Sequence, residues 1–227
     1  MNSGAPLTYR QVIAIDGPAA SGKSSVARAL AKKLGFVYVN SGAMYRAVTW
    51  YILDRGIDPS AAAAVAKALE DARLDCRLKG NDSRIFVEGI DPVEHMRDAN
   101  VNDNVSLVST VPRVRQILVQ KMRQYAVDHD VVMEGRDIGS VVFPDTPYKF
   151  YIDASPQIRT QRRAAQGQAD QIAVRDRVDS SRRDSPLMIA PDAHLIDSSN
   201  LSIEGVVSEI IERLKAKGFV AGQTSSA

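Results

Sequence analysis

The sequence predicts an α/β fold with three layers, in which a parallel sheet carries helices on both faces. A short apolar run at 11–15 suits a buried strand, and apolar residues at helical spacing follow at 24–34. Further strand and helix patterns then alternate along the chain, which is typical of parallel sheets. The length of 227 residues suits one large domain with room for a small insert.

The segment between that first strand and helix, Gly17–Ser24, reads GPAASGKS and fits the G-x-x-x-x-G-K-[ST] pattern of a phosphate-binding loop, or P-loop. In this position the loop directs backbone N–H groups and the positive end of a helix dipole at one anion. Lys23 would reach the terminal phosphates of a nucleoside triphosphate, and Ser24 would hold Mg²⁺ through its hydroxyl. An ordinary glycine turn is the alternative, which the complete strand–loop–helix context disfavours.

The later elements follow from the same patterns and from capping residues. Asn40-Ser41-Gly42 breaks the second strand and can cap the next helix, and Pro156 suits the first turn of another. The expected strands are 36–39, 131–133, 149–152 and 194–196, and the expected helices are 43–53, 59–72, 101–108, 113–127, 169–184 and 203–214, with one more starting at 155–156.

Residues 74–98 interrupt this alternation. Polar and apolar residues alternate at 74–79, a Gly-Asn-Asp turn follows, and a second strand pattern covers 85–87, which together predict a β-hairpin. We therefore expect a small β-containing insert at about 74–98 and a helical lid at about 159–185. The core of the single domain 1–227 would comprise about 10–73, 99–158 and 190–217, with a disordered tail at 218–227.

Composition excludes several functional classes. The net charge is only +2, which gives no case for a broad nucleic-acid or membrane surface. The single cysteine, Cys76, excludes an internal disulfide and suits a reducing compartment. Residues 1–10 lack the apolar core of a signal peptide, and no apolar run approaches the ~20 residues of a membrane span. We expect a cytoplasmic protein that is a monomer, since the sequence has no conspicuous extra apolar face.

Arginines gather in two places. Arg46 and Arg136 follow predicted strands and are expected at the same sheet edge as the phosphate-binding loop, because ligands bind at the carboxyl ends of parallel strands. A second group lies between Arg159 and Arg183. Arginines brought onto a transferring phosphoryl group would stabilise its charge and exclude water, so this stretch could act as a lid. A solvated helix face with acid–base pairs explains the spacing equally well.

Six motifs occur in an order that resembles the bacterial cytidylate kinase family. They are GPAASGKSS at 17–25, SGAMYR at 41–46, PRVR at 112–115, EGRDIGSVVFPDTP at 134–147, RDRVDSSR at 175–182 and IDSSNLSI at 196–203. The resemblance covers roughly residues 10–215. It implies a P-loop nucleoside monophosphate kinase that transfers a phosphate from ATP to CMP or dCMP with Mg²⁺.

The resemblance also implies roles for individual residues. ATP would be held by Gly17, Pro18, Ala19, Ala20, Ser21, Gly22, Lys23, Ser24 and Ser25, and CMP by Ser41, Arg46, Ser106, Arg115, Arg136, Asp137, Arg175, Asp179 and Arg182. Lys23, Arg136, Arg162 and Arg182 would be catalytic, and Ser24 would be the protein ligand of Mg²⁺. Of the second set, Ser106, Arg115 and Asp137 would read cytosine, whereas Arg175 and Asp179 would contact the ribose hydroxyls.

The chain also departs from the family pattern. Asn40 stands where an acid is frequent, Met188 stands where lysine is frequent, and the segment between Arg163 and Arg175 is short. Another P-loop kinase acting on adenylate, thymidylate or shikimate remains an alternative, as does a non-catalytic ATP-binding module. A switch GTPase is disfavoured because the chain lacks the N-K-x-D guanine reader. No histidine is assigned a role, since the acceptor phosphate is already anionic.

Overall fold

The computed structural model describes residues 8–165, 172–181 and 187–221, without the side chains of 172–175. The strands are β1 (Val12–Asp16), β2 (Val37–Asn40), β3 (Leu74–Lys79), β4 (Asp82–Val87), β5 (Val131–Gly135), β6 (Tyr148–Asp153) and β7 (His194–Asp197). The helices are α1 (Lys23–Leu34), α2 (Ser41–Asp54), α3 (Ala62–Asp71), α4 (Ala99–Val108), α5 (Pro112–Asp128), α6 (Pro156–Ala165), α7 (Ile172–Ser181) and α8 (Ile203–Ala216). A π-helical turn covers Ile138–Val142.

All seven strands belong to one sheet with the order β3-β4-β2-β5-β1-β6-β7. Every neighbouring pair is parallel except the β3–β4 hairpin, which is antiparallel. Strand β1 pairs with β5 and β6, and the central strand β5 also pairs with β2. The carboxyl ends of β1, β2 and β5, at Asp16, Asn40 and Gly135, therefore meet at one edge of the sheet, where ligands bind in open α/β folds.

The sheet separates two hydrophobic cores, because alternate side chains of each strand point to opposite faces. Ala14 and Met133 belong to the core beneath α2 and α5, whereas Ile13, Ile15 and Val132 belong to the core beneath α1 and α8. All five residues of β1 are buried, as the apolar run at its position predicts for a strand covered on both faces. The three-layer α/β fold class is confirmed.

The predicted hairpin is present, and it lies at the end of the main sheet. Strand β4 pairs in parallel with β2 through Tyr38 and Asp82, and the backbone N–H of Tyr38 donates to Asn81 at 2.8 Å. The hairpin thereby extends the sheet as well as interrupting the strand–helix alternation. The bounds of the insert and the lid stay predictions, and part of the tail predicted at 218–227 lies outside the described residues. Within the described ranges, none of the helices is sufficiently long and apolar to cross a membrane.

Candidate active site

The phosphate-binding loop takes a backbone path that glycine permits. Gly17 has φ 152°, and a Cβ built there would lie 2.1 Å from the carbonyl oxygen of Ile152. Gly22 has φ 90° and directly precedes the first residue of α1. Because helix α1 opens at this point, its unpaired N–H groups and its dipole face the loop. The loop therefore has the geometry of an anion site.

Lys23 is the cation of this loop. Its side chain is buried, and its Nζ donates to the carbonyl oxygen of Pro18 at 2.9 Å. Burial and the nearby charge of Arg136 together lower the pKa of Lys23 to about 7, against the opposing charges of Glu134, Asp176 and Asp179. An anionic phosphate beside Lys23 would favour its charged form.

Glu134, the last residue but one of β5, connects the loop to the second strand. Its Oε1 accepts from Ser24 Oγ at 2.8 Å and from the Tyr38 hydroxyl at 3.2 Å. Asn40 in turn donates from Nδ2 to the Tyr38 hydroxyl at 3.1 Å. Burial and the charge of Glu134 raise the pKa of Tyr38, so this hydroxyl stays a donor. Glu134 was not among the residues predicted for the site, although its place at the end of a buried strand, in the EGRD motif, favours such a role.

The start of α2 faces the loop across the sheet edge. Asn40 caps this helix, since its Oδ1 accepts from the backbone N–H of Ala43 at 2.9 Å. Ser41 Oγ donates to the backbone carbonyl of Glu134 at 2.8 Å, and Arg46 Nη1 donates to the carbonyl of Gly42 at 3.1 Å. The predicted cap is confirmed, and it fixes Ser41 and Arg46 next to the end of β5.

A buried ion pair joins Arg115 of α5 to Asp137, which follows β5. Arg115 Nη2 donates to Asp137 Oδ2, and only about 5% of each residue is exposed. The Arg115 guanidinium also lies 5.6 Å from the ring centroid of Tyr45. Within the described part of the chain, Arg115 Nη1 is buried without a hydrogen-bond partner. Because such atoms are costly to leave unpaired, Nη1 marks a position where a ligand acceptor fits.

Helix α7 contributes two carboxylates to this edge of the sheet. Asp179 is buried, and its Oδ2 accepts from Arg136 Nε at 2.9 Å. Asp176 Oδ1 accepts from the backbone N–H of Ala19 at 3.0 Å, and the same carboxylate pairs with Arg159. One face of α7 therefore contacts both the phosphate-binding loop and the arginine that follows β5.

Arg162 of α6 contacts the loop from the other side. Its Nη1 donates to the carbonyl of Ser21 at 3.2 Å and to Ser198 Oγ at 3.0 Å, and its Nη2 donates to the carbonyl of Ser198 at 2.7 Å. Ser198 Oγ itself donates to Ser21 at 2.8 Å. Arg162 thus joins the phosphate-binding loop to the segment after β7.

These groups surround a cavity of about 200 Å³. The predicted residues that line it are Ala19, Ala20, Gly22, Lys23, Ser24, Ser25, Ser41, Arg46, Ser106, Arg115, Arg136, Asp137 and Asp179. Gly17, Pro18, Ser21 and Arg162 lie outside this set of described lining residues. Arg182 and the side chain of Arg175 lie outside the described residues. Eight of the described lining residues were not predicted from the sequence, namely Asn40, Gly42, Tyr45, Val105, Ser109, Glu134, Gly135 and Arg163.

The fold and the cavity define the class to which the chain belongs. A P-loop lies between a buried strand and a helix, at the carboxyl edge of a parallel sheet, and faces a cavity lined by several arginines. This is the arrangement of a P-loop nucleotide-binding α/β protein, with ATP as the phosphate donor expected of its kinases.

Comparison with known proteins narrows this class to one family. The family model for cytidylate kinase matches residues 13–216. The chain is 41% identical to a cytidylate kinase of Limosilactobacillus reuteri over 89% of this chain and 94% of that protein. It is 43% identical to one of Pelotomaculum thermopropionicum over 90% and 96%, and 42% identical to one of Mycobacterium leprae over 91% and 96%. The chain belongs to the cytidylate kinase family.

Proposed function

We propose that the protein transfers the γ-phosphoryl group of ATP to CMP or dCMP, which gives ADP and CDP or dCDP. The observation that supports CMP as the phosphate acceptor is the buried ion pair of Arg115 and Asp137, which lines the same cavity as the phosphate-binding loop. The pair offers a charged donor and a charged acceptor side by side, and cytosine has the complementary acceptors and donor on one edge.

Cytosine recognition follows from this pair. Arg115 Nη1, which has no hydrogen-bond partner among the described residues, would donate to the cytosine carbonyl or ring nitrogen. The carboxylate of Asp137 or the hydroxyl of Ser106 would accept from the exocyclic amine. Uracil has a carbonyl in place of that amine, so Asp137 would face a lone pair. Sites built around one substrate hydrogen bond reject the analogue that lacks it by on the order of 10⁴-fold.

The monophosphate would lie between the base and the donor. Ser41, Arg46 and Arg136 line the same cavity as the phosphate-binding loop and the Arg115–Asp137 pair, and arginine suits phosphate through its planar, bidentate fork. Arg182 completes this group in the proposal. Asp179, already bonded to Arg136, would accept from a ribose hydroxyl together with Arg175. In this arrangement the acceptor phosphate would face Lys23.

The residues beside the loop fit Mg²⁺. This ion prefers oxygen ligands and is commonly held by one or two carboxylates together with substrate phosphates. Ser24 Oγ and Glu134 Oε1 lie 2.8 Å apart and supply such oxygens, and the described residues contain no cluster of three or more His, Cys, Asp or Glu side chains that would form a metal site of protein ligands alone. Ser24 would hold the ion with Glu134 next to it, and Mg²⁺ would supply charge neutralisation on the phosphates.

The chain's own residues then position and neutralise the reacting groups. Lys23 would bind the terminal phosphates of ATP, and Arg136, Arg162 and Arg182 would stabilise the charge that develops on the transferred group. The attacking oxygen belongs to a phosphate that is already anionic, so no side chain has to remove a proton from it. Exclusion of water by α6 and α7 would protect ATP from hydrolysis.

A coupled assay of ADP release tests the proposal with CMP, dCMP, UMP and AMP as acceptors, with and without Mg²⁺. We expect Mg²⁺-dependent turnover with CMP and dCMP that far exceeds turnover with UMP and AMP. Lys23→Met should abolish this turnover. Lys217→Met is the matched control and should not, since Lys217 Nζ, like Lys23 Nζ, donates to a proline carbonyl, but at Pro147 rather than in the phosphate-binding loop. Turnover of another acceptor with CMP ignored would contradict the proposal, and ADP release with none of them would favour a non-catalytic ATP-binding module.

We also propose that the protein acts in the cytoplasm, as a monomer, on small-molecule substrates and without nucleic acid. The small net charge and the single cysteine support this proposal. Cell fractionation, size-exclusion chromatography with light scattering, and a binding assay with nucleic acid at low salt are the tests. A stable dimer or salt-sensitive binding of nucleic acid would contradict it.

A further inference from the structure

The helical turn that directly follows Arg136 and Asp137 has N–H groups that need a hydrogen-bond acceptor. The π-helical turn Ile138–Val142 starts directly after these two residues, and the first N–H groups of any helix have no partner within the helix. An aspartate in the position of Asp137 commonly caps the following helix with its own carboxylate. Here the side chain of Asp137 makes no capping hydrogen bond and pairs with Arg115 in the cavity.

A different carboxylate provides the cap. Asp16 Oδ1 accepts from the backbone N–H of Ile138 at 2.8 Å, and Asp16 Oδ2 accepts from that of Gly139 at 2.8 Å. Asp16 is the last residue of β1, is 5% exposed and directly precedes Gly17. Asp16 therefore links the phosphate-binding loop directly to the π-helical turn that follows Arg136 and Asp137.

We propose that Asp16 is a positioning residue for acceptor recognition. By capping the turn from the neighbouring strand, it leaves the carboxylate of Asp137 to the cavity and holds Arg136 and Asp137 in place relative to the donor site. The inference rests on the proposed function, because it concerns the same cavity and assigns a further residue to its selectivity.

The packing around Gly139 supports a role of Asp16 in holding the π-helical turn in place. A Cβ built on Gly139 would lie 3.1 Å from Lys149 Cγ and 3.4 Å from Asp16 Oδ2, so the turn is held closely on both sides. Charged acceptors make stronger hydrogen bonds to N–H groups than neutral ones do. In Asp16→Asn, one carboxylate oxygen becomes an NH₂ group that faces a backbone N–H, so one of the two bonds is lost and the turn shifts.

Steady-state kinetics of Asp16→Asn at about pH 8, above the pKa of about 7 of Asp16, test the inference, because Asp16 is then ionised. We expect the KM for CMP to rise about tenfold and the preference for CMP over UMP to fall by a similar factor, as the loss of one charge-assisted hydrogen bond predicts. The KM for ATP should change far less, because the loop is also held by Arg162 and Ser198. Thr146→Val is the matched control, since it deletes the 2.5 Å hydrogen bond to the carbonyl of Val12 at the opposite end of β1 and should leave selectivity unchanged.

Amide hydrogen exchange gives a readout that is independent of activity. In the wild-type protein the amides of Ile138 and Gly139 should be protected, and Asp16→Asn should expose at least one of them while the centre of β1 stays protected. If Asp16→Asn does not fold, Gly139→Ala places a methyl group 3.1 Å from Lys149 Cγ, displaces the same turn and should also lower the selectivity for CMP over UMP. Unprotected wild-type amides, or equal rises in KM for CMP and ATP, would overturn the inference.

The two levels of the proposal fail separately. If the wild-type protein does not phosphorylate CMP, the proposed function is wrong, whatever the exchange data show. If it does so and Asp16→Asn keeps both the KM for CMP and the preference for CMP over UMP, Asp16 has no positioning role.

Discussion

Arg136 donates a hydrogen bond from Nε to Oδ2 of Asp179 at 2.9 Å, across 43 positions of sequence. Arg136 follows the central strand β5, whereas Asp179 lies on α7, so the bond joins the sheet edge to the segment predicted to close over the substrates. The Asp179 side chain is 6% exposed and that of Arg136 is 21% exposed. A partly buried carboxylate next to an arginine holds the guanidinium in one orientation.

Asp179→Asn tests this relationship. Loss of the charged partner would leave Arg136 less well oriented for the acceptor phosphate and would weaken the contact with ribose, so we expect the KM for CMP to rise about tenfold. The KM for ATP should change little. Asp71→Asn is the control, because it breaks the exposed ion pair with Lys67, and neither residue is among the described cavity-lining residues. A rise in the KM for ATP as large as that for CMP would contradict the assignment.

Asp137 should determine the choice of base. Asp137→Ala removes the acceptor for the cytosine amine, so the preference for CMP over UMP should fall by more than about tenfold while the KM for ATP stays within a few-fold. Asp137→Asn should shift the preference further towards UMP, since its NH₂ group can donate to the uracil carbonyl. Steady-state kinetics with both acceptors measure these changes, and equal losses for CMP and UMP would rule out the role.

The same substitution has a cost in stability that has to be measured separately. Asp137→Ala leaves the buried Arg115 without its carboxylate partner, and breaking a buried ion pair typically costs about 3–5 kcal/mol. Thermal unfolding of Asp137→Ala and Asp137→Asn should show the larger loss for alanine. Kinetics should be recorded well below both melting temperatures, so that a loss of selectivity is not mistaken for a loss of folded protein.

The sequence predicted those parts of the site that rest on local patterns. The glycines and lysine of the phosphate-binding loop have a fixed spacing, and the buried strand before them and the helix after them have distinct periods. The positions of Lys23, Ser24, Arg46 and Arg136 at one sheet edge followed, because parallel strands place their carboxyl ends together.

The parts that depend on distant contacts were not predictable in this way. The π-helical turn Ile138–Val142 is too short to show a period, and its cap comes from Asp16, 122 residues away from Ile138. The bond between Glu134 and Ser24 joins residues 110 positions apart, and the pairing of β4 with β2 depends on the same tertiary arrangement. These contacts depend on the order of the strands in the sheet, and the local periodicity of the sequence does not predict that order.

The catalytic role of Arg162 can be tested by comparing a variant of Arg162 with a variant of Ser198, to which it is hydrogen-bonded. If Arg162 acts on the transferred phosphate, Arg162→Ala should lower kcat by roughly 100-fold, the usual effect of removing one donor that stabilises a transition state. Ser198→Ala should lower kcat only a few-fold, because Arg162 keeps its bonds to the backbone carbonyls of Ser198 and Ser21. Similar losses in both variants would show that Arg162 acts only by holding the loop.

Asp16 should give the protein a distinctive dependence of stability on pH. Burial raises the pKa of Asp16 from 3.8 to about 7, and the charge of Asp137 acts in the same direction. The hydrogen bonds from Ile138 and Gly139 and the charge of Lys23 oppose the shift. Tyr151, paired with Asp16 in the sheet, has its pKa raised to about 12 and stays neutral throughout this range.

Between about pH 4 and 7 the folded protein therefore binds more protons at Asp16 than the unfolded chain does, so this residue's contribution to the free energy of unfolding falls as the pH rises. Asp16→Asn cannot titrate and lacks this decline. Thermal unfolding should thus show the wild-type protein losing stability relative to Asp16→Asn from about pH 5 to 7, with the difference levelling off above that pH. Thr146→Val, which keeps Asp16, should follow the wild-type profile at a constant offset. A difference between wild type and Asp16→Asn that is independent of pH would mean that Asp16 is ionised throughout this range, and that its two N–H partners outweigh the cost of burying its charge.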